Sequence, residues 1–145
     1  MWPFKIAGMP RGDEKYDLIQ SVPLFSECTG DELEAIASSA DLIDVPEGME
    51  LVTQGKSTNE LVAIAAGEVE VTKDGQPVAR LGAGDFFGEI ALITGAPRTA
   101  TVSATEPSTL LVLTDREFWR LAKENPALPS AVLKVFAERL HPDTF

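Results

Sequence analysis

Apolar and polar residues alternate through the middle of the chain, between residues 42 and 114. The alternation falls into short runs separated by glycines: LIDV, ELVTQ, LVAIAA, EVEVTK, PVARL, TATVSA and TLLVLT. A period of two is typical of strands with one buried face, and glycines between short runs indicate turns. Asp74 and Gly75 lie between two runs and predict a tight hairpin. Because no long helical pattern separates the runs, they predict an antiparallel sandwich or barrel, most naturally a β-roll.

The region before the strands predicts a leader and two short helical segments. Residues 1–15 mix aromatic residues with prolines, glycines and charges, which predicts a flexible leader ahead of a domain spanning residues 16–145. A short helical turn is predicted from Tyr16. Thr29 and Glu32 have the spacing of a capping box, in which each side chain bonds the other residue's amide, so a helix is predicted to begin there.

Two further helices are predicted after the last strand. Thr114 and Glu117 form a second capping-box pattern, which predicts a helix through Lys123. Pro129 suits the first turn of a final helix, which His141 and Pro142 would end. The predicted fold class is therefore mainly β with flanking helices, an antiparallel β-roll or jelly roll with an N-terminal helix and two C-terminal helices.

One stretch interrupts the strand pattern, FFGEIALITGAPRTATV at residues 86–102. Gly88 permits close approach of the backbone to a ligand, and residues 89–92 can form one helical turn whose first amides lack intrahelical partners. Such amides attract an anion. The Gly-Ala-Pro break favours extended backbone, so Arg98 is predicted to begin a strand and to face the same anion. Glu89 can accept hydrogen bonds from sugar hydroxyls. The stretch therefore suits a sugar phosphate, and an ordinary loop is the alternative.

The same stretch resembles the phosphate-binding cassette of the cyclic nucleotide-binding domain family. The family pattern is Phe-Gly-Glu, three apolar residues, a short turn, Pro-Arg, a small residue, Ala and Thr-Val, and residues 87–102 meet it. The resemblance extends over about residues 18–140. It implies a cyclic-nucleotide site formed by Phe87, Gly88, Glu89, Ile90, Ala91, Pro97, Arg98 and Thr99.

The resemblance also implies a role for each part of the cassette. Glu89 would bind the ribose 2′-hydroxyl, and Arg98 would bind the cyclic phosphate. The backbone amides of Gly88, Ile90 and Ala91 would donate to the phosphate oxygens. These roles require a pocket that favours the anion locally, because an acidic chain repels an anionic nucleotide at long range.

The resemblance leaves the base and the lid open. The expected ligand is cAMP, with cGMP as the alternative, because the hydroxyl of Thr99 is compatible with either. In the family, the two closing helices are the moving part. Phe136 and Leu140 are therefore candidate lid residues, and a plain role in the core is the alternative for both.

Composition restricts the classes of function. The 145 residues carry a net charge of −11 and a pI near 4.4, which disfavours a DNA partner. No apolar run reaches the ~18 residues of a membrane-spanning helix, and the first residues lack the apolar core of a signal peptide, so a cytoplasmic location is expected. A single cysteine, Cys28, and a single histidine, His141, predict neither an internal disulfide nor a transition-metal site. The sequence carries no recognisable catalytic set, so no enzyme is expected.

The function expected from these patterns is a stand-alone cyclic nucleotide sensor. It would pass a ligand-induced change of shape to an unidentified effector protein, and a homodimer is a candidate assembly. The alternative is a scaffold or dimerisation module in which the pocket is unused. No metal or organic cofactor is expected in either case.

Overall fold

The computed structural model describes residues 12–139, except for the side chains of residues 12–14, 136 and 139. Its strands follow one another in the middle of the chain, interrupted by one short helix, and the other helices lie towards the two ends. In chain order the elements are α1 (Gly12–Gln20), a 3₁₀ turn (Pro23–Phe25), α2 (Gly30–Ser39), β1 (Asp41–Val45), β2 (Glu50–Val52), β3 (Leu61–Ala66), β4 (Glu68–Lys73), β5 (Gln76–Gly82), β6 (Phe86–Phe87), α3 (Glu89–Thr94), β7 (Thr101–Ala104), β8 (Ser108–Leu113), α4 (Asp115–Glu124) and α5 (Ala127–Arg139).

The described strands form two four-stranded sheets. One sheet has the order β1-β8-β3-β6 and the other β2-β7-β4-β5, and every pairing is antiparallel. β4 and β5 are joined by Asp74 and Gly75, both with positive φ (52° and 80°), as a two-residue hairpin turn requires. The predicted fold class, an antiparallel β-roll with flanking helices, is confirmed.

The apolar pattern of each strand reflects how many of its faces are buried. In β4, Val69 and Val71 pack between the sheets while the intervening glutamate is partly exposed, which gives strict alternation. In β8, Leu110 packs between the sheets and Leu111 packs against the helices. The first sheet is therefore covered on both faces, and its central strands carry apolar runs without alternation, over all of β3 and over β8 from Leu110 onward. Of the helices that cover it, α5 also packs against α3 of the cassette.

Three boundaries differ from the sequence prediction. α1 begins at Gly12, so residues 12–15 of the predicted leader are helical, while residues 1–11 lie outside the described residues. α5 begins at Ala127, directly after Pro126 and before the predicted start at Pro129. The strand predicted to begin at Arg98 begins at Thr101. The division of the chain into a leader and a domain stays a prediction, as does the end of α5 at His141 and Pro142, which also lie outside the described residues.

The two predicted capping boxes differ in how completely they form. At α2, Glu32 N donates to Thr29 Oγ1 (3.2 Å) and Thr29 N donates to the Glu32 carboxylate (2.9 Å), which confirms the prediction. At α4, Glu117 N donates to Thr114 Oγ1 (3.2 Å), but the Glu117 carboxylate accepts from Arg120 (2.7 Å). The second box is therefore only half present, because an ion pair one turn along α4 engages the glutamate.

Within residues 12–139, no helix combines the length and the apolar character that crossing a bilayer requires.

Candidate functional site

The junction between β6 and α3 depends on Gly88. Phe87 pairs with Val62 of β3, and Gly88 follows with a φ of +100°, which residues with a side chain rarely adopt. A Cβ on Gly88 would lie 2.3 Å from the Glu60 carbonyl oxygen and 2.8 Å from Nη1 of Arg98. Both distances are too short for a carbon atom. Glycine therefore allows the cassette to lie directly against Arg98 and the loop that precedes β3.

The first turn of α3 faces the same region. The first bond along this helix runs from Leu92 N to Gly88 O (3.0 Å), so the amides of Ile90 and Ala91 precede the intrahelical ladder. The helix ends at Gly95, whose amide donates to Ala91 O (2.8 Å). A helix of six residues has a weak macrodipole. An anion at this turn therefore needs a cation as well as the amides.

The backbone of Arg98 is hydrogen-bonded to the loop between β2 and β3. Arg98 N donates to Lys56 O (2.8 Å), and Gly55 N donates to Arg98 O (2.8 Å). These two bonds take the place of strand pairing at this position, which explains why β7 begins only at Thr101. The predicted strand at Arg98 is therefore wrong, although the residue still reaches the cassette.

The side chain of Arg98 is the buried cation of the site. Only 4% of this side chain is exposed. Its Nε donates to Thr58 Oγ1 (2.9 Å), and its Nη2 donates to the Glu60 carbonyl oxygen (3.0 Å) and, at 3.4 Å, to the Glu60 carboxylate. Burial lowers the pKa of Arg98, and the charges of Glu60 and then Glu89 oppose this shift. An arginine guanidinium keeps its proton in proteins, so the group stays charged.

Glu89 is the second buried charged residue of the cassette. It is the first residue of α3 and is 2% exposed. Its charge acts on Arg98 and favours the cationic form of the guanidinium. A buried carboxylate must be bonded to donors, and an incoming hydroxyl group is a suitable additional donor. The arrangement thus combines an acceptor for hydroxyls with a cation.

These groups line one cleft, which encloses about 40 Å³ and is otherwise open to solvent. The lining combines the cassette residues around Gly88 and Arg98 with one valine each from β2, β4 and β7. The lining residues are Val52, Val71, Phe87, Gly88, Glu89, Ile90, Ala91, Arg98, Thr99, Ala100 and Val102. This combination of charge, backbone amides and branched aliphatic side chains suits a ligand with an anionic group and a large uncharged part.

The structure brings most of the predicted site residues to this cleft. Of the predicted eight, the lining includes Phe87, Gly88, Glu89, Ile90, Ala91, Arg98 and Thr99. Pro97 is exposed and lies outside the lining. Its contribution is local, since it precedes Arg98 where the chain turns towards the loop before β3. The binding roles assigned to these residues stay predictions.

The lid prediction concerns residues that the structure does not describe. The Phe136 side chain and all of Leu140 lie outside the described residues. The lining of the cleft within residues 12–139 comes from strands, α3 and the segment around Arg98, without a residue of α5. A lid formed by Phe136 or Leu140 therefore stays a prediction.

Sequence reasoning missed the residues that hold Arg98 in place. Thr58 and Glu60 lie in a loop without periodicity, 40 and 38 residues before Arg98. The available signal was physical: a buried arginine needs acceptors and a counter-charge, and Glu60 is an acidic residue directly before the apolar run LVAIAA. The pattern could not identify which acidic residue of the chain meets Arg98.

Comparison with known proteins assigns the domain to a family. The family profile described as the cyclic nucleotide-binding domain matches residues 42–125, more than half of the chain. The chain belongs to the cyclic nucleotide-binding domain family. The matched range contains every cleft-lining residue, from Val52 to Val102, so the whole candidate site lies inside the cyclic nucleotide-binding domain.

Relatives of this cyclic nucleotide-binding domain include a potassium channel, a catabolite activator protein and the regulatory domain of a protein kinase A. The cyclic nucleotide-gated potassium channel of Rhizobium etli is 36% identical over 124 residues, which cover 86% of this chain and 35% of the channel. The structure of the Thermus thermophilus catabolite activator protein matches with a TM-score of 0.76 and 28% identity, over 81% of this chain and 58% of that one. The regulatory domain of Toxoplasma gondii protein kinase A, solved with cAMP, matches with a TM-score of 0.76 and 25% identity, over 90% and 49%. The chain therefore spans about a third to three fifths of these proteins.

Proposed function

We propose that this domain binds a cyclic nucleotide, with cAMP as the first candidate and cGMP as the second, and that it acts by binding rather than catalysis. The observation that carries the proposal is the guanidinium of Arg98, whose side chain is 4% exposed and lies beside the residue that precedes α3. Charge-assisted hydrogen bonds to phosphate are about twice as strong as neutral ones. A cyclic phosphate bound here gains both the guanidinium and the amides of Ile90 and Ala91.

The rest of the cleft supports a nucleoside attached to that phosphate. Glu89 lies beside the guanidinium and supplies an acceptor for the ribose 2′-hydroxyl. Val52, Val71 and Val102 supply an apolar surface for a base. The solved T. gondii relative contains cAMP, and extending that ligand to this chain is part of the proposal.

A route for relaying the ligand runs through Leu92. This residue of α3 belongs to the same buried cluster as Leu128 and Val132 of α5. Binding that tightens α3 shifts Leu92 against α5, and an effector protein recognises the changed position of α5. The ligand moves this equilibrium only by the difference between its affinities for the two arrangements. Amide hydrogen exchange on α5, with and without ligand, measures the relay directly.

The proposed binding is tested by thermal unfolding with cAMP, cGMP, linear AMP and no nucleotide. A ligand at a hundred times its Kd stabilises the folded state by about 2.7 kcal/mol. We expect such a shift for a cyclic nucleotide and a smaller one for AMP. An Arg98→Ala variant is the control, since it should abolish the shift while leaving the strands folded. Unfolding curves that coincide under all four conditions would overturn the proposal.

The second candidate is a scaffold or dimerisation module with an unused pocket. The observation in its favour is that Arg98 already has partners inside the protein, Thr58 and Glu60, so the folded state tolerates the pocket without a ligand. Sedimentation at several protein concentrations, with and without nucleotide, separates the candidates. A nucleotide-independent dimer together with unchanged unfolding supports the scaffold, whereas nucleotide-dependent stability supports the sensor.

A further inference from the structure

The acceptors that surround Arg98 differ in charge. Thr58 Oγ1 at 2.9 Å and the Glu60 carbonyl oxygen at 3.0 Å are neutral, and each is at normal hydrogen-bond distance. The Glu60 carboxylate is the charged acceptor, and at 3.4 Å it is the most distant of the three. The two neutral acceptors therefore orient the guanidinium, while the carboxylate mainly neutralises it.

The two members of the ion pair are also exposed to different degrees. The Arg98 side chain is 4% exposed and the Glu60 side chain 20%. Since the backbone of Arg98 is bonded to Lys56 and Gly55, the guanidinium is the fixed member of the pair. The carboxylate has access to water and can turn away without leaving its own charge buried.

We propose that Glu60 is a resident counter-ion that competes with the anionic group of a ligand for Arg98, so that Glu60 weakens anion binding while Thr58 strengthens it. The inference rests on the proposed function and assigns to this site two residues outside the cassette. A bound phosphate takes over the neutralisation of Arg98 and places a like charge beside Glu60. The carboxylate then contributes repulsion where it had contributed attraction.

The geometry of the cassette supports exchange of the anion at a fixed guanidinium. Nη1 of Arg98 lies beside Gly88, within 2.8 Å of where a Cβ would be, whereas Nε and Nη2 carry the bonds to Thr58 and Glu60. One edge of the guanidinium is thus held by the loop before β3, and Nη1 is the nitrogen next to the cleft-lining backbone. A ligand anion can bind at Nη1 while the two neutral acceptors keep the plane of the group in place.

The first experiment compares cAMP with adenosine, which lacks the phosphate, by calorimetry on wild type, Glu60→Gln and Thr58→Val. Glu60→Gln keeps the size of the side chain and removes its charge. We expect it to bind cAMP about 5- to 50-fold more tightly, from the loss of a like charge roughly 6 Å away at an effective dielectric between about 20 and the value of about 80 for water, since the Glu60 side chain is partly exposed. Thr58→Val should bind cAMP about tenfold more weakly, because one bond that orients a charged group is lost. Adenosine affinity should change by less than about twofold in both variants, since the effect requires the phosphate.

A matched variant removes the same charge elsewhere. Glu47 is exposed and does not line the cleft, so Glu47→Gln changes the net charge equally without touching Arg98. It should leave cAMP affinity within about twofold, because solvent and salt screen an exposed charge that does not contact the site. An equal gain in Glu47→Gln and Glu60→Gln would assign the effect to net charge and overturn competition at Arg98.

A ligand-free measurement tests the ion pair itself. Glu60→Gln should lower the Tm of the free protein in the wild-type background and should not lower it when Arg98 is replaced by Met, because the buried cation that Glu60 neutralises is then absent. Equal losses in both backgrounds would mean that Glu60 acts through packing alone, which overturns the resident counter-ion.

The outcomes separate this inference from the proposed function. Wild type that binds cAMP while Glu60→Gln binds it equally or more weakly overturns the inference and leaves the proposed function standing. If neither protein binds cAMP or cGMP, the proposed function fails and the competition fails with it. Tighter binding of cAMP but not adenosine by Glu60→Gln, with unchanged Glu47→Gln, supports both.

Discussion

Two arginines of this domain form ion pairs with glutamates in opposite surroundings. Arg80 of β5 reaches Glu68 (2.9 Å) and Glu70 (3.5 Å) across the sheet surface, and 63% of its side chain is exposed. Arg98 reaches Glu60 at 3.4 Å with 4% exposed. The surface pair has the shorter distance, so distance alone would rank it first. Burial reverses this order, because the charge of Arg98 depends more on its partners than the charge of Arg80 does.

The two ion pairs differ in how well water can solvate their charges. At the surface, water solvates both members of the Arg80 pair, so the pair contributes little to stability. Around Arg98, little water reaches the guanidinium, and the folded state must supply acceptors and a counter-charge. Of the two arginines, only the buried one therefore offers a ligand anion a large gain in binding free energy. The following predictions test this contrast, beginning with the largest expected effect.

Replacing the buried arginine should remove most of the nucleotide affinity. Arg98→Ala should cost about 2–5 kcal/mol of cAMP binding, as expected for loss of a desolvated charge that pairs with phosphate. Arg98→Lys keeps the charge but loses the forked donors, so we expect an intermediate loss. Calorimetry measures both, with circular dichroism to verify folding. Undiminished cAMP affinity in Arg98→Ala would refute the role of this residue and remove the contrast with Arg80.

Removing the buried carboxylate of the cassette should have a smaller effect that depends on the sugar. Glu89→Ala should cost about 1.5–3 kcal/mol of cAMP binding, the value of a hydrogen bond to a charged group. The wild type should bind 2′-deoxy-cAMP more weakly than cAMP, and the variant should bind the two equally. A variant that still discriminates between the sugars would place the 2′-hydroxyl contact on another residue.

A third test disturbs the buried pair without changing either member. Gly88 and Gly95 flank α3, and both have positive φ, but only at Gly88 would a Cβ collide with Glu60 and Arg98. Gly95→Ala should cost about 1–2 kcal/mol of unfolding free energy from backbone strain alone. Gly88→Ala should cost more, because the clash adds to the strain, and it should also weaken cAMP binding. Equal losses of stability and equal binding in the two variants would show that the close approach at Gly88 is unimportant.

The sequence predicted those parts of the molecule that have a local pattern. Alternation in EVEVTK identified β4 because its outer face lies in water, and the Thr29 and Glu32 spacing identified the cap of α2. The cassette was recognisable because Gly88, Glu89 and Arg98 lie within eleven residues of one another.

Contacts between distant segments were beyond the pattern. β6 is only two residues long and exists because Phe86 and Phe87 pair with β3. The late start of β7 follows from the bonds between the Arg98 backbone and the loop before β3. Thr58 and Glu60 became part of the site for the same reason. Each of these features depends on tertiary placement, which short-range spacing does not encode.

The smallest expected effect is at the exposed ion pair of Arg80, which serves as the reference for the effects at the buried pair. Arg80→Ala should change the free energy of unfolding by less than about 1 kcal/mol, and 1 M salt should remove most of the difference by screening. The loss is small because Glu68 keeps a second donor, Thr105 Oγ1 at 2.9 Å, and both carboxylates remain hydrated. Binding of cAMP should be unchanged, since Arg80 does not line the cleft. Chemical denaturation at low and high salt, followed by calorimetry, measures both quantities. A larger, salt-resistant loss, or an altered cAMP affinity, would show that the two arginines are coupled through β4, whose Val71 lines the cleft, and that burial alone does not explain the contrast.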